Sequence, residues 1–516
     1  MATRSRRRER KYFIQKPNGE VGSRVKAVGP ERFGVLCWDC AKARSKMMLA
    51  NFYGEVLIAP QTVEHTRGHL QAALDQVRQA VAKHGLGDLI VAIERTGEYH
   101  RLAQRACKQA GYDTRLVHPL TSKHFRQPAD PANKTDDTDL AAIFRAAVNG
   151  FGLIEPTLPV DYQRLQLLVR QRRDLVQKRS LLYCQIRELL HALMPGYAEC
   201  FSSPWESALA LPLARVTGSA EPLRHGAGIL RLLTEHKLSA RRPTFDKLVA
   251  WAETVAAPHP NQQVILPNLY ALDDDRLAKN QQITALERAC AQYLVRTPYI
   301  LMLVIPGLNV VSVADLAGEL GPMSNYAHAN NITGRAGLMP SRYQSDKVDR
   351  ADGPLPRRAN RRLRAVLMQA ADNLVACNHY FAAQSDRWRG QGQDTRWIRV
   401  KVAKRLSRLL FAMVAGRQLF PHPCRQERHY ILTKLTEFHR THDTPGALML
   451  ADLDEASKQL PRSALAVETP PLEERLKEVQ KKKKGPQLLA DILPLVLARL
   501  GRLSVQYEQS EDPGPS

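Results

Sequence analysis

Val35-Leu36-Cys37-Trp38-Asp39, Lys46-Met47-Met48-Leu49-Ala50-Asn51-Phe52 and Val56-Leu57-Ile58 are three short apolar runs, the last two separated by the turn Tyr53-Gly54-Glu55. Runs of this length bounded by turn residues predict strands, so the segment 34 to 58 opens as a hairpin-rich meander. Downstream the pattern changes. A helical stretch from about Val63 to His84 ends at Gly85 and Gly87, and the buried-strand run Leu89-Ile90-Val91-Ala92-Ile93 follows. A helix then reaches Gly111, and Thr114-Arg115-Leu116-Val117 gives one more strand. A meander followed by alternating helices and strands predicts a mixed sheet of ribonuclease-H-like design over about 34 to 155.

Beyond it the chain reads as helical. From Asp161 to Leu193 the positions Leu165, Leu168, Val169, Arg172, Leu175, Val176, Arg179 and Leu182 keep heptad-like spacing, which predicts a long coiled-coil helix or a core helix of a bundle, stopped by Pro195 and Gly196. Moderate helices follow, among them Lys247 to Val255 and Gln281 to Val295. The expected organisation is a basic N-terminal arm (1–33), the sheet domain (34–155), a coiled-coil and helical linker region (156–298), a basic helical domain (299–420) and a C-terminal extension of unassigned role (421–516). The extension holds a proline-punctuated stretch, Lys481 to Lys484, an apolar helix from Leu488 to Leu500 and an acidic tail. The fold class is therefore α/β plus all-α.

With 516 residues, 44% of them hydrophobic and 24% charged, the chain has material for more than one core. Its 75 Lys and Arg against 51 Asp and Glu leave a net charge of +24, which favours polyanionic partners. No run of about 18 apolar residues is present, so a membrane span is not expected and nucleic acid is the better partner. Arg4, Arg6, Arg7, Arg8 and Arg10 fit either a phosphate-binding arm or a solvated tail. Eight scattered cysteines, of which only Cys37 and Cys40 are close, lack the second pair of a zinc site and suggest reduced thiols in the cytoplasm.

Acidic residues mark the chemistry. Asp39 ends the first apolar run and Glu94 ends the run from Leu89, where a carboxylate must face a cleft, a partner or a desolvation penalty. In Lys134-Thr135-Asp136-Asp137-Thr138-Asp139 a helix opens with Asp136 and Asp139 three apart on one face and Asp137 turned away. Carboxylates gathered in this way suit hard divalent cations, with two magnesium ions the natural choice for phosphoryl transfer on DNA. Each residue alone also has an ordinary role, in capping a helix or a turn.

Asp39, Glu94-Arg95-Thr96-Gly97-Glu98-Tyr99 and the Lys134–Asp139 stretch resemble the DEDD domain of insertion-sequence-110 family transposases, a domain similar to Holliday-junction resolvases. The resemblance implies metal-ligand roles for Asp39, Glu94, Asp136 and Asp139. A second region also resembles that family. Ile305-Pro306-Gly307-Leu308-Asn309 before Ala314–Gly321 looks like a helix-hairpin-helix whose amides near Gly307 and Asn309 hold a DNA phosphate. Gly337-Leu338-Met339-Pro340-Ser341-Arg342-Tyr343-Gln344-Ser345 then places Ser345 where the family has its serine nucleophile, which joins covalently to DNA. Lys347, Arg350, Arg357, Arg358, Arg361, Arg362 and Arg364 would counter phosphate charge, or form a solvated basic face.

Serine needs activation, and no His stands beside Ser345 in sequence, so the metal site is the expected source. The family usually has glycine after the serine, whereas here Asp346 follows. A carboxylate about 6 Å from a phosphate costs roughly 3 kcal/mol at an effective dielectric near 20, so Asp346 must turn away, be neutralised by Lys347 or Arg350, or reduce activity. Ser341 is the alternative nucleophile. The resemblance further implies a structured guide RNA that selects the DNA, a homodimer or tetramer joined through the coiled coil, and a nucleoid-associated protein of a prokaryotic cell. The function expected is a DNA recombinase that excises and inserts its element. A metal-dependent, structure-selective endonuclease and a catalytically silent nucleic-acid-binding protein remain as alternatives.

Overall fold

A computed structural model describes residues 19–127, 134–257, 259–345, 348–350, 353–357, 359–419 and 428–460. The chain divides into two compact units, Met1–Thr157 and Leu158–Ser516.

The first unit runs α1 (Gly19–Val28), β1 (Phe33–Cys40), β2 (Arg44–Asn51), β3 (Val56–Glu64), α2 (Arg67–Lys83), β4 (Asp88–Glu94), α3 (His100–Gln109), β5 (Asp113–Val117), α4 (Pro119–Arg126), α5 (Asp136–Val148) and β6 (Leu153–Ile154). Its six strands form one mixed sheet in the order β3-β2-β1-β4-β5-β6. The β1–β4 and β4–β5 pairs are parallel and the others antiparallel. β1 and β4 are apolar almost throughout because both faces of the sheet are covered. Leu36, Trp38, Val91 and Ile93 lie in one core with Leu74 and Val77 of α2 and Ala103 and Cys107 of α3. Val35, Cys37, Ile90 and Ala92 lie in the opposite core with Leu140, Ile143 and Ala147 of α5.

Two local expectations change. The helix expected from Val63 begins at Arg67, capped by Thr66, because β3 continues to Glu64 and buries Val63. Pro60 does not end the strand, since β3 is the sheet edge, where a missing N–H is tolerated. The segment expected to be only a basic arm also supplies α1, whose Val21 and Val25 are buried in the α5-side core. There Arg24 grips Asp88 through two bonds of 2.7 and 2.6 Å and Asp113 through a third of 2.5 Å.

The second unit contains α6 (Val160–Leu193), α7 (Ala210–Thr217), α8 (Gly226–Glu235), α9 (Arg242–Thr254), α10 (Gln262–Leu294), α11 (Val310–Leu320), α12 (Ala329–Ala336), the strands β7 (Tyr343–Ser345) and β8 (Val348–Arg350), then α13 (Arg361–Cys377), α14 (His379–Gly390), α15 (Thr395–Gly416), α16 (Arg428–Thr441) and α17 (Gly446–Gln459). α6 and α10 lie antiparallel. Arg172 Nε reaches Glu287 at 2.6 Å and Arg179 Nη1 reaches Asn280 at 3.0 Å. The stripe read as a pairing face thus meets α10 of the same chain, as in a bundle. α10 is far longer than the helix expected from Gln281, because Pro267 lies inside it rather than before it.

One end of this helix pair packs with α7, α8 and α9. The other end joins a core built by α11 to α17, to which α16 contributes Ile431, Leu432 and Leu435 and α17 contributes Leu453 and Ala456. The described part of the C-terminal extension is therefore core material. Its remainder, including the lysine run and the helix expected at Leu488–Leu500, lies outside the described residues, as does the arginine cluster before Lys11.

The segment 299–420 is not wholly helical, since β7 and β8 form an antiparallel hairpin with Ser345 opposite Val348. The stretch before Pro306 is a buried 3-10 segment, Pro298–Val304, followed by the Gly307 turn and α11.

Candidate active site and nucleic-acid interface

Asp39 and Glu94 come together through strand register. Trp38 lies opposite Ile93 on adjacent parallel strands, so the next residue on each, a carboxylate in both cases, leaves the sheet at its carboxyl edge on the same face. In sheets of this kind ligands bind at the carboxyl ends of the strands. The face is the one covered by α5, and the first turn of α5 carries Asp136, Asp137 and Asp139. A capping box between Thr135 and Thr138 starts that helix and fixes where its acidic turn sits. At the mouth of the edge, Thr96 Oγ1 donates to the Cys40 carbonyl at 2.7 Å and ties the loop after β4 to the end of β1.

The carboxylates feel one another. Burial first, then the charges of Glu94, Asp139 and Asp136, push the Asp39 carboxyl up to about 6 from its ordinary 3.8. Burial also raises Glu94, and Asp139 adds to the rise, while the Ser122 hydroxyl, Lys134 and Asp39 itself draw it back. Each of these two carboxyl groups holds its proton more readily than a free acid, and a cation beside them would relieve that penalty.

The other two acids are differently placed. Asp139 is buried and ion-paired with Arg126 of α4, while Asp136 is exposed. Asp137 points elsewhere and pairs with Lys46 at 2.7 Å. As the side chains stand, no three His, Cys, Asp or Glu among the described residues are gathered tightly enough to hold a metal ion. The four acids share a neighbourhood, in which Arg126 is paired with Asp139. The donor set is nonetheless all oxygen and excess negative, which suits a hard divalent cation. Neither Arg126, Ser122 nor Lys134 was picked out as a site residue from the sequence. Arg126 and Ser122 lie in a short helix with no motif, and only the fold brings them to the strand ends. Cys37 and Cys40 take no part, since burial raises both thiols far from the thiolate form.

In the second unit Ser345 is exposed at the end of β7, opposite Val348 of β8. Arg342 Nε donates to Asp349 at 2.7 Å across the two strands. Ser341 is anchored, its hydroxyl donating to the Pro354 carbonyl at 3.1 Å and its own carbonyl accepting from Gly353 N at 3.0 Å. Both serines are exposed, and the Ser341 hydroxyl is held to a backbone carbonyl. Asp346, Lys347 and Arg358 lie outside the described residues, as does the side chain of Arg350.

Arg357, Arg361 and Arg362 are exposed around the start of α13. Arg364 is not a free cation: it donates to the Ala336 and Pro356 carbonyls at 2.8 and 2.5 Å and holds the loop before α13. Asn309 caps α11, its Oδ1 accepting from Ser312 N at 2.8 Å. Gly307 adopts φ +92°, and a Cβ there would stand 2.9 Å from the Asn373 carbonyl oxygen of α13. Both residues are explained by the turn itself, and the α11 amides beyond them remain the candidate phosphate contacts. A network that sequence reading missed joins three helices: buried Glu319 of α11 accepts from Arg170 at 2.9 and 3.1 Å and from Asn360 at 3.0 Å.

Two family models match the chain, in the order of the two regions just described. A transposase model of the IS110 DEDD kind covers residues 36–195, and the model for transposases of the IS116/IS110/IS902 family covers residues 300–386. Both regions of this chain are similar to segments of IS110-family transposases. Similar proteins agree. The chain is 27% identical over 271 residues to the insertion element IS116 uncharacterized 44.8 kDa protein of Streptomyces clavuligerus, covering 50% of this chain but 64% of that relative, less than two thirds of its length. It is 23% identical over 355 residues to a probable family 20 transposase of Pseudomonas aeruginosa, covering 68% and 91% of the two chains. It is also 23% identical over 335 residues to the transposase for insertion sequence element IS1328 of Yersinia enterocolitica, covering 64% and 85%. The first IS110 segment spans all four acids and the second spans Ser345 and the start of α13; α15, α16 and α17 lie beyond both. No helix among the described residues is long and apolar enough to cross a membrane.

Proposed function

We propose that this IS110-family chain is a DNA recombinase that cuts a strand, holds it on Ser345 and rejoins it to a new end, its sheet unit being of ribonuclease-H-like design. The observation that carries the reading is the pair Asp39 and Glu94 at adjacent parallel strand ends, with Asp39 pushed up to about 6 by burial and by its acidic neighbours. Held at pH 7 in this state, the pair favours a divalent cation such as magnesium. That cation would supply charge stabilisation at the phosphate and a lower barrier to deprotonating the attacking oxygen. Asp39, Glu94, Asp136 and Asp139 would hold that cation, and Asp139 would have to leave Arg126 to do so.

Ser345 Oγ attacks phosphorus, loses its proton and forms a phosphoserine ester while the departing DNA oxygen takes up a proton. Rejoining reverses both steps, so the phosphodiester's energy is kept and no nucleotide is consumed. Arg357, Arg361 and Arg362 contact backbone phosphates, and the excess of cations supplies affinity for double-stranded DNA. A structured guide RNA, pairing of subunits and a place in the nucleoid follow from the family resemblance and form part of the same proposal.

The test is excision from a plasmid. Ser345→Ala and Asp39→Asn each abolish joined product, by at least about a thousandfold, and leave nucleic-acid binding intact. Full activity in either variant removes that residue from the mechanism.

A further inference from the structure

Lys434 of α16 is a half-buried lysine far outside the family segments. Its Nζ donates to three backbone carbonyls, those of Leu303 at 2.8 Å, Ile305 at 2.9 Å and Leu308 at 2.8 Å. All three belong to the turn that ends the 3-10 segment and leads through Pro306 and Gly307 into α11. Within that turn Leu308 N donates to the Ile305 carbonyl at 3.2 Å, and Asn378, between α13 and α14, donates to the Pro306 carbonyl at 3.4 Å. Burying an ammonium is expensive, and burial draws that of Lys434 down to about 8. A position that carries this penalty yet meets three converging carbonyl dipoles is an electrostatic site for one positive charge.

Backbone carbonyl oxygens that converge on one point are what proteins use to coordinate monovalent metal ions. The geometry points to the turn 303–308 being a monovalent-cation site whose ion has been replaced by the ammonium of Lys434, making Lys434 the positioning residue that sets the start of α11. Three carbonyls that converge repel one another without a cation at their centre, so removing the charge lets the turn open. α11 begins two residues after the last of those carbonyls, and its first amides then lose their direction. The consequence for DNA rests on the reading of those amides as phosphate contacts; the cage itself does not.

Chemical rescue in the full-length protein tests both parts. Lys434→Ala leaves a space lined by the three carbonyls, which potassium, close in size to an ammonium, enters and tetramethylammonium does not. In tetramethylammonium chloride the variant loses hydrogen-exchange protection at residues 305–312, and binding of a DNA duplex weakens about tenfold. In potassium chloride of equal ionic strength both recover, whereas Lys434→Met, which fills the space without charge, recovers in neither salt. Equal protection of Lys434→Ala in the two salts, or unchanged protection at 305–312 in Lys434→Met, overturns the cation site. Protection that responds to potassium while DNA affinity stays constant upholds the site and overturns the reading of the α11 amides. Should Lys434→Ala be unfolded in both salts, Lys434→Met decides through its protection at 305–312 relative to the rest of the unit.

Discussion

At Asp39 folding stability and the proposed metal-binding role oppose one another. Its folded carboxyl titrates near 6 against an ordinary 3.8, so the folded protein holds a proton that the unfolded chain has already released. Stability contributed by this residue therefore falls as pH rises from about 4 to about 6, and the charged form at neutral pH is a standing penalty. Asp39→Asn removes it. After a discount for partial exposure, the metal-free variant gains about 1–2 kcal/mol, seen as a higher Tm at neutral pH, and loses tight Mg2+ or Mn2+ binding. In the wild type the same proton competes with the cation. Calorimetric titration should show Mn2+ affinity falling about tenfold for each pH unit below about 6, with proton release on binding. A pH-independent affinity contradicts Asp39 as a ligand with a raised carboxyl.

These residues were legible because an acid at the end of an apolar run is costly unless it has a use, and both such runs are short and uninterrupted. Their counter-charges were not. Arg126 reaches Asp139 only through the packing of α4 against α5, and no spacing in the sequence announces it. Likewise Arg364 looks like its neighbours Arg361 and Arg362 until the Ala336 and Pro356 carbonyls are seen to hold it.

Among elements, those buried on both sides were read best. β1 and β4 are apolar because both sheet faces are covered, and α6 shows its stripe because α10 and α11 lie against it. Elements whose signal depends on context were read short or missed. β3 runs past Pro60 because it is an edge, α10 runs past Pro267, and β7 and β8 are three-residue strands within a polar, basic stretch.

The crossing of α6 and α11 depends on Gly318, where a Cβ would stand 2.7 Å from Val169 Cγ2 and 3.3 Å from both Gln166 Cα and the Leu165 carbonyl oxygen. Two of these atoms are backbone and cannot turn aside. Gly318→Ala should destabilise the second unit by about 1–3 kcal/mol, read from the urea midpoint. Gly334 in α12 meets nothing within 4 Å, and Gly334→Ala should be neutral or stabilising by up to about 1 kcal/mol. Equal effects at the two sites contradict the account of the helix crossing.

Over the whole molecule, the +24 charge explains affinity for a polyanion without explaining chemistry. In the proposed function, chemistry falls to an acidic strand edge in one compact unit and an exposed hairpin serine in the other, both within segments matched by the family models. The described part of the extension beyond them, unassigned from sequence, supplies core through α16 and α17 and a cation through Lys434.

Recombination by covalent capture and plain hydrolysis differ in one product. The purified full-length protein, incubated with Mg2+ and end-labelled DNA carrying its element junction, is denatured, digested and mapped by mass spectrometry. The account predicts a nucleotide-modified peptide at Ser345, formed by the wild type and absent from Asp39→Asn and from reactions without divalent cation. Cut DNA with no strand attached to protein, or an adduct on Ser341, contradicts it.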